Sequence, residues 1–203
     1  MKLLPLLALS WGLSAAGGPR LIFEKSFPGS SPAYDSITLD ESGDGEYREA
    51  ADDDSPLKFH LDAEETKEVF ALAQKLDYFQ HPLESPKKVA FMGKKTFRYE
   101  NGAEKGEVQF NYSENATAVE LLDWFECMAE SARRRIDLER AAKYDKLGVY
   151  QALTLLDEGL ENDRIVALNQ FLPILDRIAK NESYMHTARV LAAQIADGIR
   201  AAQ

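Results

Sequence analysis

The stretch Asp40-Glu41-Ser42-Gly43-Asp44-Gly45 carries side-chain oxygens at its first, third and fifth positions and glycine at its sixth. That is the opening half of a calcium loop, in which hard oxygen ligands replace the water around a divalent cation. The closing half departs from the pattern. Position twelve is Ala51, where a bidentate glutamate belongs, and the flanks read as strands, whereas a calcium loop lies between helices. A tight acidic hairpin turn accounts for the same residues. Asp40, Ser42 and Asp44 are thus weak candidates for a metal site, and the expectation is that the chain binds no metal or cofactor.

The remaining reactive residue types are dispersed. His60, His81 and His186 are far apart and fit no paired pattern, whereas a zinc site draws on three or four nitrogen or sulfur ligands. His60, in the alternating segment LKFHL, reads as a polar strand position. Cys127 is the single cysteine, so no internal disulfide can form. It lies in ELLDWFECMAES, a helical stretch of large apolar residues with no histidine beside it to activate a thiolate. A packed side chain is the favoured reading, ahead of a reactive thiol or an intermolecular disulfide. Nucleophile elbows, phosphate-cradling glycine loops and dinucleotide fingerprints are missing from the sequence. With 34 acidic residues, carboxylate pairs arise by chance and carry no information. No catalytic residue is assigned.

Three local patterns have a structural and a functional reading. Tyr78, Phe79 and Trp124 could line a pocket, but aromatic residues at helical spacing read first as core. Asn111, Asn115 and Asn181 fit the glycosylation acceptor pattern, which matters only in a eukaryotic secretory route; the local alternative is that they suit a strand end and helix starts. Arg133-Arg134-Arg135 spans most of a helix circumference and cannot serve one anion, so pairing with Glu130, Asp137 and Glu139 is expected.

The chain begins with Met1-Lys2, an apolar run from Leu3 to Leu13 and the small residues Ser14-Ala15-Ala16. That order is a secretory signal, and the run is too short to span a bilayer, which takes about 20 apolar residues. No cysteine follows it to accept a lipid. The expectation is export, cleavage after Ala16 and no transmembrane segment in the mature chain. The formal charge of the full chain is −10, which argues against nucleic acid or an anionic membrane as partner.

The elements that would position any site follow from periodicity. Residues 1–16 form the signal, and 17–33 an extended segment whose LIFEKSF stretch reads as an edge strand or a free arm. An α+β region is expected over 34–132. In it, Ile37 and Leu39 alternate with polar residues, the acidic turn follows, and Glu46 to Ala50 returns. Asp62 caps a helix with Glu65 three residues on, and Val69, Phe70, Ala73 and Leu76 form its apolar stripe. Phe97 and Tyr99 pair across a turn with Val108, Phe110 and Tyr112, so two antiparallel hairpins with packed helices are expected. From Asn115 the period becomes 3.6, with Val119, Leu122, Phe125, Met128 and Ala129 as a stripe that Trp124 widens. No proline occurs before Pro173, so one helix could run from Asn115 to Leu160, unless Gly148 interrupts it, and approach 70 Å at 1.5 Å per residue. The helical region 133–203 closes with Phe171–Ile178 and a helix bearing Ala188, Leu191, Ile195 and Ile199. Short polar connections at Asn162-Asp163 and Asn181-Glu182 favour antiparallel packing of these helices onto the long one.

The segments PAYDSITLDESGDGEY, HLDAEETKEVFALAQKLDYF and KTFRYENGAEKGEVQF occur in that order over residues 34–130. The stretch resembles exported bacterial domains of unknown function with ββαββα order, although Pro32-Ala33-Tyr34 stands where such domains often carry cysteines. The C-terminal stretch from Tyr144 to Arg189 is similar to the tails of uncharacterised exported proteins of soil bacteria. Neither resemblance supplies a catalytic residue. Taken together, the sequence reads as an exported, non-enzymatic binding or interaction module whose partner is another extracytoplasmic protein. A hydrolase with dispersed carboxylates and a structural envelope component are the alternatives, and the oligomeric state stays open.

Overall fold

The computed structural model describes residues 18–202. The export signal expected at 1–16 lies outside the described residues. The fold is α+β, a six-stranded antiparallel sheet with five α-helices.

The first surprise is the strand β1 (Arg20–Ser26), which holds the LIFEKSF stretch. It is neither an edge nor an arm. It pairs with β2 (Tyr34–Asp40) on one side and with β5 (Lys94–Asn101) on the other. Leu21 and Phe23 are fully buried on its core face. Its charged half is accommodated by neighbours, since Lys25 Nζ lies 2.9 Å from Glu126 Oε1 and Arg98 lies 3.7 Å from Glu24. The strand β3 (Asp44–Arg48) forms the expected hairpin with β2, and β4 (Leu57–His60) adds the outer edge. The strand β6 (Glu104–Phe110) pairs with β5 around the two-residue turn Gly102-Ala103, giving the order β4-β3-β2-β1-β5-β6.

One sheet face is covered by α1 (Ala63–Lys75) and α2 (Ala116–Tyr144). Asp62 caps α1 as expected. Its carboxylate accepts from the Glu64 and Glu65 amides while Glu65 reaches back to the Asp62 amide. Val69, Ala73 and Leu76 are buried and Phe70 half-buried. In α2 the buried stripe is rotated from the expected one. It runs through Ala118, Leu121, Phe125, Met128, Ala129 and Ala132, while Val119 is exposed and Leu122 and Trp124 are half-buried. Small residues face the sheet because the helix lies close upon it, and Phe125 stacks on Phe23 with ring centroids 5.0 Å apart.

The long helix is interrupted as Gly148 suggested. α2 ends at Tyr144, about 43 Å from its start at 1.5 Å per residue. Asp145 Oδ1 accepts from the Gly148 amide at 3.1 Å, and α3 (Val149–Glu161) sets off in a new direction. α4 (Leu172–Lys180) and α5 (His186–Ala201) then close a second core with the C-terminal half of α2. Leu138, Leu153, Leu156, Leu175, Ile178, Ala188 and Ile199 are buried there, so the C-terminal helices do pack onto the long one. Leu191 is half-buried at the rim.

The passage from α3 to α4 is more than a short connection. After Asn162 the chain crosses back over α2. Ser131 Oγ accepts from the Val166 amide at 2.9 Å, and Glu65 Oε1 from the Ala167 amide at 3.2 Å. Val166 and Ala167 thereby join the first core. The junction placed at 132/133 in the sequence falls within continuous α2, whose two halves serve different cores.

Candidate functional site

The candidate site grows from the loop between α1 and β5. Within four residues it exposes Val89 (41%), Phe91 (57%) and Met92 (42%). Lys87, Lys88 and Lys94 stand exposed around them. Apolar side chains left in water on a loose loop would be unremarkable, but this loop is held. Asn111, just past β6, accepts from the Met92 amide at 2.6 Å and donates to the Ala90 carbonyl at 3.1 Å. Lys95 Nζ donates to the carbonyls of Met92 (3.1 Å), Gly93 (3.3 Å) and Asn111 (2.8 Å). Gly93 makes the closing bend at φ +91°, where an added Cβ would lie 3.0 Å from Phe27 Cβ. The Phe91 ring meets Phe27 edge-on at 5.8 Å between centroids.

Lys95 is only 4% exposed, and burial pushes its ammonium pKa down. Burying a cation is costly unless its protons are satisfied; here all three go to backbone carbonyls. The loop backbone is thus fixed by buried polar groups, while its apolar side chains point outward. Exposed apolar side chains on a fixed backbone make this loop the candidate site.

Beside the loop is a cleft of about 290 Å³ between β6 and the start of α2. Met92, Phe110, Ala118, Val119 and Leu122 supply its apolar walls, and Lys25, Lys95 and Glu126 its charged end. Val119, the residue off the expected helix stripe, is 48% exposed here and extends the apolar surface. The charged end continues under α2. Lys95, Lys25 and Asp35 are cross-strand neighbours on the core face, and Arg133 lies 3.5 Å from Asp35 Oδ2. Asp35 is 6% exposed and its Oδ1 has no hydrogen-bond partner among the described residues. Burial raises its pKa against the opposing effect of Arg133.

The residues singled out in the sequence lie elsewhere and serve local structure. Asp40 Oδ1 accepts from the Ser42 amide (2.9 Å), Ser42 Oγ (2.6 Å) and the Asp44 amide (3.1 Å), which is the geometry of a capped turn. Asp44 also meets His60 Nδ1 at 2.9 Å, and His60 is an exposed position of β4. Among the described residues no group of three or more His, Cys, Asp or Glu side chains converges as a metal site. Cys127 is buried, and desolvation raises its thiol pKa to about 11. Arg134 pairs with Glu130 and Arg135 with Glu139 as expected, but Arg133 turns to Asp35, and Asp137 pairs with Arg140 instead. Asn115 caps α2, Asn181 accepts from the Ser183 amide, and Asn111 holds the loop. Phe79 is core, whereas Tyr78 stacks on Tyr99 with centroids 4.1 Å apart.

A wider cleft, about 850 Å³, runs past His60, Asp62, Glu65 and Gln170. Its two carboxylates accept from backbone amides, Asp62 from Glu65 at the helix cap and Glu65 from Asp62 and Ala167. Sequence reasoning gave no role to residues 87–94. The signal was present as lysine pairs on either side of Val89-Ala90-Phe91-Met92 in an acidic chain. Neither protein-family models nor curated proteins match the chain.

Proposed function

We propose that this chain is an exported, non-enzymatic binding module that docks through the Lys87–Lys94 loop and the cleft beside it. The observation that carries the reading is the fixed exposure of Val89, Phe91 and Met92 on a backbone held by Lys95 and Asn111. Export rests on the basic start, apolar run and small residues of 1–16.

Two measurements test it. Protein from the native host should begin near Gly17 by mass spectrometry, and a retained Met1 in a cytoplasmic fraction would remove the export half. A photoreactive phenylalanine analogue at position 91, irradiated in the host envelope, should give adducts with lipid or protein. The same analogue at exposed Tyr150, on the opposite helical part, should not. Equal labelling from both positions, or none, would remove the docking half.

A further inference from the structure

We infer that the partner of this loop is an anionic lipid surface, with Val89, Phe91 and Met92 entering the headgroup region and Lys88 and Lys94 contacting phosphates. The inference rests on the docking role proposed for the loop and names its partner.

Charge is the first argument. The chain as a whole is at −10, which by itself argues against an anionic membrane. The local arrangement reverses the sign. Of the acidic groups beside the loop, Glu114 is balanced by Lys87 and Glu126 by Lys25, while Glu84 accepts from the Asn111 amide; against Glu84 stand Lys88, Lys94 and the buried Lys95. Lys88 and Lys94 are exposed and have no salt bridge among the described residues. Charges farther from the contact than about 8–10 Å are screened at physiological salt, so a surface touching the loop meets mainly its lysines. Each lysine near an anionic bilayer strengthens association roughly fivefold.

Shape is the second argument. A stable protein interface buries about 800 Å² on each partner. The loop offers three exposed apolar side chains within four residues, with lysines on either side of them. Lipid insertion needs no matching surface; it needs apolar tips, adjacent cations and a backbone that is already ordered. The anchoring by Lys95 and Asn111 meets the last need, because no loop entropy is lost on contact. Among the described residues no helix is long and apolar enough to cross a membrane, so association would be peripheral.

The test is flotation of the exported chain with vesicles of phosphatidylcholine, alone or with about one third phosphatidylglycerol. The expected result is binding to the mixed vesicles only, weakened by added salt. Phe91→Ser and the double variant Lys88→Glu/Lys94→Glu should each bind about tenfold more weakly or worse; the double variant should keep its melting temperature because both lysines are exposed, whereas Phe91→Ser gives up the Phe27 contact and is compared below its own melting transition. Phe91→Trp should show a blue-shifted emission on the mixed vesicles. No binding to the mixed vesicles, or equal binding by the variants, would overturn the inference. If position 91 labels a protein while the vesicles fail to bind, the docking loop stands and the lipid partner falls. If it labels nothing either, both fall.

Discussion

The backbone of Tyr78 lies directly over Gly106. A Cβ built on Gly106 would sit 1.9 Å from the Tyr78 carbonyl oxygen. The contact explains two oddities together. Asp77, Tyr78 and Phe79 all take positive φ, of 49°, 46° and 70°, a left-handed turn that costs L-residues roughly 1–2 kcal/mol each. The turn drives Phe79 into the core beside Phe97, and it covers the outer edge of β6. Gln80 Nε2 adds a hydrogen bond to the Lys105 carbonyl at 3.0 Å. Gly106→Ala should therefore destabilise the protein by about 1–3 kcal/mol, as overpacking does, in a urea melt. Gly102→Ala, where no neighbour lies within 4 Å, gives the comparison for positive-φ strain alone.

The second core predicts a graded series. Leu175 is fully buried, so Leu175→Ala should cost about 2–5 kcal/mol. Leu191, at the rim, should cost roughly 1–2 kcal/mol, in line with partial removal of its apolar area from water. Paired denaturant melts would show whether the ranking holds; equal losses would mean that the rim is tighter than its exposure indicates.

Asp35 gives a pH dependence of definite sign. Burial raises its carboxyl pKa in the folded state. Its contribution to stability is present in full below the ordinary aspartate range and is lost as pH rises through the raised value. Asp35→Asn should then be more stable than the parent near about pH 7, and the advantage should shrink toward about pH 4. Urea melts at several pH values would reveal a constant or reversed difference if the Arg133 pair outweighs burial.

Cys127 should react slowly with a disulfide reagent in the native protein. Its thiol is buried and its pKa is raised to about 11, so little thiolate exists at neutral pH. Absorbance at neutral pH should show one thiol released promptly in denaturant and a far slower reaction without it. Fast native labelling would mean that the strap at Asp163, whose carbonyl lies 4.0 Å from the sulfur, opens readily.

What was legible in the sequence was local. Asp62 and Glu65 cap α1 through their fixed spacing, and the β5–β6 hairpin follows from the alternation of Phe97, Tyr99, Val108 and Phe110. The turn at Asp40–Gly45 was also readable, whereas the sequence left open whether the long helix continued through Gly148. What was missed depends on partners distant in sequence. β1 is central because β5, far along the chain, adds to its second edge. The α2 stripe was drawn through its large residues, yet Ala118 and Ala132 face the sheet because the close approach of the helix demands small ones. The site was hidden for the same reason: nothing in the sequence around Val89, Phe91 and Met92 shows that Asn111 and Lys95 fix their backbone.

The helix shared by the two cores has a consequence for how the molecule comes apart. Phe125 and Met128 fasten one end of α2 to the sheet, and Leu138 and Ala142 fasten the other to the helical layer. Neither layer can release its own half of the helix without fraying the backbone ladder that supports the other half. The strap at Val166 and Ala167 ties the layers a second time. Heat should thus dissolve sheet and helices in one step, with fluorescence from Trp124 beside the first core and loss of helical signal from the second following the same curve.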